Sequence, residues 1–425
     1  MRYIPVQQPT SPTGESSGGT SPLRPMVQAP SQTTARSGTA RRVASARNPT
    51  SSRTGYAAVS LFSGCGGMDL GAEMTGAVKT TWASDLDPWA VATYRRNLGS
   101  HVWLGDVRDM EFPDVPADIL LAGPPCQDYS SLWNHDGAKT ARGNLFREVA
   151  RFLDQRQPKA FVLENVPGLL SANHGEAWIL VRHALRAPTQ FLYDGAGPRY
   201  EISAEVVDFA ELGVPQHRPR LIVIGIRRDL GIQPPAVPRP FRRHLRTVRD
   251  ALDEAPITSG APNHELGFDS PDVVERLKLI APGENYRAIP KDHPLAVKGL
   301  ISHVYRRLDP DRPAYTVIAG GGGGTHGYHH REPRRLSNRE RARLQSFPDQ
   351  FVFEGGEGRS TYPRVRRQIG NAVPPTAGQV IVQALVDALR AGDVPGTSSG
   401  DIRTARRKVA LSAPDFATPA GDRAS

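Results

Sequence analysis

The chain has 425 residues, 38% of them hydrophobic and 23% charged, with a formal net charge of +10 and only two cysteines, Cys65 and Cys126. That balance describes a soluble globular protein of one large or two to three smaller domains, and it argues against a disulfide framework or a cysteine-based zinc site. No stretch approaches the roughly 18 apolar residues of a membrane span, and the N-terminus has no apolar signal core, so a cytoplasmic protein without membrane contact is expected.

Residues 1–54 hold seven Arg and one Glu among Ser, Thr, Pro and Gly. This composition predicts a disordered basic tail, either adding nonspecific nucleic-acid affinity or solvated with no specific role. The positive charge returns in two clusters, nine Arg against Asp229 over Arg218–Arg249 and nine Arg against four acids over Val304–Arg343. Arginine outnumbers lysine 46 to 7, which suits bidentate contacts to phosphate and guanine, although a GC-rich genome gives the same bias.

From Ala57 onward short apolar runs alternate with helical patterns: Ala57 to Phe62, Thr80 to Ser84, Asp118 to Ala122, Ala160 to Leu163, Tyr200 to Val207 and Leu221 to Ile226. Strand, helix, strand repetition predicts an α/β protein with a mostly parallel, doubly wound sheet. The first run enters Ser63, Gly64, Cys65, Gly66, Gly67, a turn that lets backbone approach a ligand closely, with an ordinary tight loop as the alternative. Asp85 ends the second run about 20 residues on, where a carboxylate accepts ribose hydroxyls. Asp106 follows Gly105 after a third apolar stretch, placed to meet an adenine amino group. Phe62, Asp85 and Asp106 at successive strand ends describe a nucleoside pocket. Without a phosphate-binding Lys motif, an adenosyl cofactor lacking phosphates is favoured over ATP.

The run Ile119 to Gly123 leads through Pro124 and Pro125 to Cys126, Gln127 and Asp128. A strand end opening into a crevice is where active sites of open α/β sheets lie; for a free cysteine alone a small buried hydrophobe is the commoner reading, and the motifs below favour a reactive thiolate. The run Ala160 to Leu163 delivers Glu164, an acid that must be paired or placed for chemistry. Cys126 and Glu164 together suit the activation of an unreactive pyrimidine carbon.

After Arg227 the pattern degrades into Pro-rich and Arg-rich sequence that stays irregular to about Arg331. A second, smaller domain over residues 230–331 is expected, beside a catalytic and cofactor-binding domain over 55–229. Thr316 and the arginines here are candidates for groove contacts. Gly320 to Gly324, followed by Thr325, His326, Gly327, Tyr328, His329 and His330, are further candidates, with a flexible linker as the alternative for the five glycines. His326, His329 and His330 lack carboxylate or cysteine partners at ligand spacing, so no metal site is expected. Residues 332–390 return to helical sequence, with a capping box at Ser337 and Glu340 and a final helix from Pro375 to Leu389. Residues 391–425 are read as a flexible tail.

Six segments, in one order, carry a resemblance: FSGCGG at Phe62, GPPCQDYS at Gly123, ENVPG at Glu164, QHRPR at Gln216, RRLSNRERARLQSFPD at Arg334 and QIGNAVPP at Gln368. The chain resembles a DNA (cytosine-5)-methyltransferase of the bacterial restriction-modification type, over nearly all of residues 57–390. The resemblance implies a Rossmann-like methyltransferase fold with a target-recognition domain at 230–331, S-adenosyl-L-methionine as cofactor and double-stranded DNA as partner. It also implies a monomer that protects host DNA from a cognate restriction endonuclease. By the same resemblance Cys126 adds to C6 of a flipped-out cytosine while Glu164 contacts N3. Arg218 and Arg220 orient the base or its backbone, with phosphate contact or surface charge as the alternative, weightier for Arg218. Gly64, Gly66, Gly67, Leu86, Val107, Gly123, Pro125, Asn371 and Ala372 join Phe62, Asp85 and Asp106 around the methyl donor. Tyr129 and Ser337 stand where the family often has Phe and Thr. A transfer-RNA cytosine methyltransferase of the same fold and a catalytically silent DNA-binding homologue are the alternatives.

Overall fold

Apolar runs without a polar alternation belong to strands covered on both faces, and here they pair into one sheet. The computed structural model describes residues 55–125, 145–258, 260–297, 302–320, 327–358 and 361–392. Its strands are β1 (Tyr56–Leu61), β2 (Val78–Asp85), β3 (Val102–Leu104), β4 (Ile119–Ala122), β5 (Ala160–Asn165), β6 (Tyr200–Asp208) and β7 (Pro219–Arg227). They lie in the order β3-β2-β1-β4-β5-β7-β6. The first five are parallel, whereas β7 runs antiparallel to both β5 and β6.

The helices through the sheet half are α1 (Gly67–Met74), α2 (Pro88–Asn97), α3 (Leu145–Arg156), α4 (Glu176–Arg186) and α5 (Pro188–Tyr193). Later come α6 (Val248–Leu252), α7 (Pro271–Lys278), α8 (Asn338–Leu344), α9 (Thr361–Asn371) and α10 (Pro375–Gly392). No helix among the described residues is long and apolar enough to cross a membrane.

The period-2 alternation of the strands sends neighbouring residues to opposite faces. Ala58, Ile119, Leu121 and Val162 pack against Ala72 of α1 and Ile381, Val382 and Leu385 of α10. Val59, Leu120, Phe161 and Leu163 pack against Val149 and Leu153 of α3 and Val181 and Leu185 of α4. The sheet is therefore doubly wound, as expected. α10 closes on α1 through glycines, since a Cβ on Gly71 would stand 2.3 Å from the Pro375 carbonyl oxygen.

The irregular segment shares its core with the returning chain. Val248, Leu252, Leu308, Ala314 and Val317 cluster with Phe347, Phe351, Val365, Ile369 and Cys65. The capping box at the start of α8 has both limbs, Ser337 Oγ accepting from the Glu340 N–H and the Glu340 carboxylate accepting from the Ser337 N–H.

Of the arginines in residues 230–331, Arg307 departs from the groove-contact expectation, and several arginines of the returning chain are likewise spent inside the fold. Arg307 donates to the carbonyls of Leu277, Ile280, His329 and His330, and Arg339 donates to those of Pro262, Pro348 and Phe351. Arg334 pairs with Glu332 and Glu340, Arg335 with Asp269, and Arg343 with Asp349. Irregular backbone leaves buried carbonyls without ladder partners, and a guanidinium with five donors satisfies several at once. By contrast, Arg243 and Arg246 are exposed and make no ion pair among the described residues.

Candidate active site

The carboxyl ends of β1, β2, β4 and β5 meet at one edge of the sheet, around a cavity of about 750 Å³. The turn after β1 contributes to its lining. Phe62 takes a left-handed backbone (φ 57°), a conformation sparsely populated by non-glycine residues, and Gly64 follows at φ 55°. This bend aims the Gly64 N–H at Asp85 Oδ2, 2.7 Å away, while Asp87 N–H donates to Asp85 Oδ1 at 2.9 Å. Burial pushes the Asp85 carboxyl above its ordinary range, against the pull of these two N–H groups.

Phe62, Gly64, Gly67, Leu86, Val107 and Asp106 all line the cavity, as do Gly123, Pro125, Asn371 and Ala372. Gly66 does not line it. Its φ is 88°, and a Cβ there would meet Leu98 Cδ1 at 2.4 Å, so its role is to pack the turn against α2 and the residue that follows it. Gly67 also has a packing reason, because a Cβ would stand 2.2 Å from the Val373 carbonyl oxygen.

At the other end of the cavity Glu164 and Arg220 form an ion pair, Nε to Oε1 2.8 Å, with side chains 14% (Arg220) and 13% (Glu164) exposed. Burial raises the Glu164 carboxyl, and Arg220, then Arg218, draw it back down. The parallel pairing of β4 with β5 puts Gly123 beside Glu164, whose Oε2 lies 3.9 Å from where a Gly123 Cβ would be. Asn165 Nδ2 donates to the Pro124 carbonyl at 3.0 Å, fixing the chain as it leaves β4. Cys126 lies outside the described residues, one beyond Pro125.

Arg218 is buried, which overturns the surface-charge and phosphate reading of it. Its Nη1 donates to the Val317 carbonyl at 3.2 Å, and its Nη2 to the carbonyls of Gly370 (2.8 Å) and Ala372 (3.1 Å). It lines the cavity and cross-braces two segments that are far away in sequence. Its Nε is buried without a hydrogen-bond partner among the described residues. Burial, then the neighbouring Arg220, lowers its pKa to about 9.

Gln216 completes the brace. It donates from Nε2 to the Leu344 carbonyl and Gln345 Oε1, and accepts from the Val317 N–H at 2.8 Å. Thr316 Oγ1 donates to the His217 carbonyl at 2.7 Å. Thr316 and Val317 are thus strapped to the segment Gln216–Arg218 that leads into β7.

His329 Nδ1 accepts from the N–H groups of Arg331 and Glu332, and His330 Nε2 pairs with Asp253 at 3.1 Å. Both rings are committed to local structure. His326 and Gly321 to Gly324 lie outside the described residues.

Sequence reasoning missed several residues of this constellation. Arg108 meets Asp106 with its Nε at 2.9 Å to Oδ1 and its Nη2 on Oδ2, and it too lines the cavity. Asp69 is buried beneath the turn, accepting from Ser60 Oγ and the Tyr94 hydroxyl at 3.0 Å each. Gln216 and Asn165 stand inside quoted motifs, and their amides in apolar surroundings were the available signal.

Residues 56–387 match the family model described as C-5 cytosine-specific DNA methylase. The chain belongs to this family. It is 44% identical over 328 residues to Type II methyltransferase M.NgoFVII of Neisseria gonorrhoeae, covering 75% of this chain and 83% of that one. It is 39% identical over 362 residues to Type II methyltransferase M.BbvI of Brevibacillus brevis, covering 80% and 93%. It is 32% identical over 471 residues to the DNA (cytosine-5-)-methyltransferase M.ApeKI of Aeropyrum pernix, covering 79% and 99%. The family match together with these relatives makes this chain a DNA (cytosine-5-)-methyltransferase. Among solved structures, a prophage-encoded protein of E. coli aligns with a TM-score of 0.61 at 24% identity, over 79% of this chain and 99% of that one. S. pombe Dnmt2 methyltransferase aligns at 0.54 and 16%, over 80% and 100%. These two likenesses bear on the fold, and they agree with the doubly wound sheet described above.

Proposed function

We propose that this methyltransferase takes its methyl group from S-adenosyl-L-methionine and delivers it to C5 of a flipped-out cytosine in one short DNA sequence, through a covalent Cys126 adduct. The observation that carries this reading is the single cavity edge that holds two nucleoside-type carboxylates, Asp85 and Asp106, at one end and the Glu164–Arg220 pair at the other.

The residues present fit the donor. Two carboxylates with lone pairs to spare, an aromatic ring at Phe62 and a backbone turn without a phosphate-binding Lys suit an uncharged ribose and an adenine better than a nucleotide triphosphate. Phe62, Asp85, Leu86, Asp106 and Val107 would hold the adenosyl part, and Gly64, Gly67, Asn371 and Ala372 the remainder. When bound, the sulfonium supplies an electrophilic methyl group.

The protein's own side chains do the rest. Thiolate addition of Cys126 to C6 places negative charge on the ring, and a proton held on Glu164 at N3 takes up that charge, leaving C5 nucleophilic. Burial favours the protonated Glu164 that this step needs, while Arg220 fixes the carboxyl in position. After methyl transfer a base removes the C5 proton and the Cys126 thiolate leaves, restoring the aromatic ring. C5 and C6 are covered in stacked duplex, so the base must leave the stack to reach the cavity. Residues 230–331 act as the target-recognition domain, with Arg243 and Arg246 free for phosphate. The relatives named as type II methyltransferases support a role beside a cognate restriction endonuclease.

The adduct is testable directly. DNA carrying 5-fluorocytosine at the target retains fluorine where a proton should leave, so the enzyme should stay covalently attached. A denaturant-stable protein–DNA complex is expected with wild type and absent with Cys126→Ala. A complex of equal yield from Cys126→Ala would refute the nucleophile.

A further inference from the structure

We infer that Arg108 is a positioning residue that makes the donor site selective for adenine, by locking the Asp106 carboxylate so that one acceptor position remains for an exocyclic amino group. The inference rests on the reading of the cavity as the methyl-donor site.

The argument is one of hydrogen-bond capacity. A carboxylate offers about four lone-pair positions. Asp106 Oδ1 takes two donors, the Arg108 N–H at 3.0 Å and Arg108 Nε at 2.9 Å. Asp106 Oδ2 takes one, Arg108 Nη2. One position on Oδ2 is left, and both residues line the cavity.

Local structure explains why the pair forms. Asp106 caps the 3₁₀ turn Val107–Asp109, which turns Arg108 back over its own cap. The two side chains are 17% (Asp106) and 33% (Arg108) exposed, so the pair sits at the cavity wall rather than in bulk water. Two parallel N–H to oxygen contacts fix the plane of the carboxylate, which a single point charge would leave free to rotate. Arg108 also holds the Asp106 carboxyl below its ordinary range, chiefly through that side-chain bond, so the remaining position is an acceptor with no proton of its own. An adenine N6 amino group donates to such a position. Hypoxanthine presents a carbonyl there, and two acceptors face each other.

Calorimetric titration of the full-length protein with S-adenosylhomocysteine and with its deaminated counterpart S-inosylhomocysteine tests this without turnover. Wild type should favour the adenosyl ligand by about tenfold or more, the effect of one charge-assisted hydrogen bond. Arg108→Ala should weaken adenosyl binding severalfold and leave inosyl binding nearly unchanged, so the preference collapses. Arg108→Lys keeps the charge without the fork and should fall between, and it carries the same readout if Arg108→Ala folds poorly. An undiminished preference in both variants would overturn the inference, as would tighter adenosyl binding in Arg108→Ala, which would mean that Arg108 competes with adenine for Asp106. Wild type that binds both ligands equally also overturns it. Wild type that binds neither refutes the donor-site reading itself, a different failure from loss of the Arg108 effect.

Discussion

Glu164 stands between burial, which raises its carboxyl, and the guanidiniums of Arg220 and Arg218, which lower it. If its proton is what takes up charge at N3, Glu164→Gln should slow methyl transfer by roughly two to four orders of magnitude while leaving DNA affinity close to wild type. Single-turnover rates would check this, and unchanged transfer would remove Glu164 from the chemistry. Asp69 gives a second prediction at this scale. Burial lifts its carboxyl from an ordinary 3.8 to about 7, so the fold favours the protonated form. The stability this confers is complete below pH about 3.8 and is lost as pH rises to about 7. Asp69→Asn removes that titration. Its melting temperature relative to wild type should rise across that window and level off above it, and a constant difference would contradict the assignment. Most of the residues that line the cavity were legible because strand ends announce themselves, an apolar run followed by an acid or a glycine. What stayed hidden needed distant partners: Arg218 reads as surface charge until the carbonyls of Val317, Gly370 and Ala372, 99 to 154 residues away, appear around it. The left-handed Phe62 was equally unreadable, since no propensity favours it.

The strands were legible as elements for a related reason. Runs such as Ile119–Ala122 are buried on both faces and therefore uninterrupted by polar residues. β7 gave no sign of its reversed direction, because direction follows from the short return between Asp208 and Pro219 and not from side-chain pattern. The capping box of α8 was visible in full, because its two bonds join residues only three apart. Ser337→Ala should cost about 1 kcal/mol by denaturant unfolding. The α1–α10 crossing was not visible, although it decides how the turn after β1 is backed. Gly71→Val places a branched side chain where the Pro375 carbonyl oxygen is 2.3 Å from the would-be Cβ. The protein should lose about 1–3 kcal/mol or more of stability, read from the same unfolding curves, and a neutral result would show that the crossing yields.

For the molecule as a whole, net charge is a poor guide to which arginines are free at the surface. Much of the arginine excess between residues 304 and 343 closes carbonyls or carboxylates inside the fold, as Arg307, Arg334 and Arg339 do. The seven arginines of residues 1–54 are a separate contribution. Deleting that segment should weaken nonspecific binding and flatten its salt dependence while leaving the methylated sequence unchanged. Filter binding across a salt series, paired with mapping of methylated sites, checks both halves. A changed recognition sequence would place specificity in the tail and not in residues 230–331. The central claim is that this fold delivers a methyl group to C5 of cytosine in one DNA sequence by way of Cys126. Bisulfite sequencing of genomic DNA from a methylation-free host expressing the chain, beside a Cys126→Ala control, tests it most directly. The account predicts protected cytosines confined to one short motif and absent from the control. Protection in the control, or none in either culture with the protein folded and abundant, would contradict it.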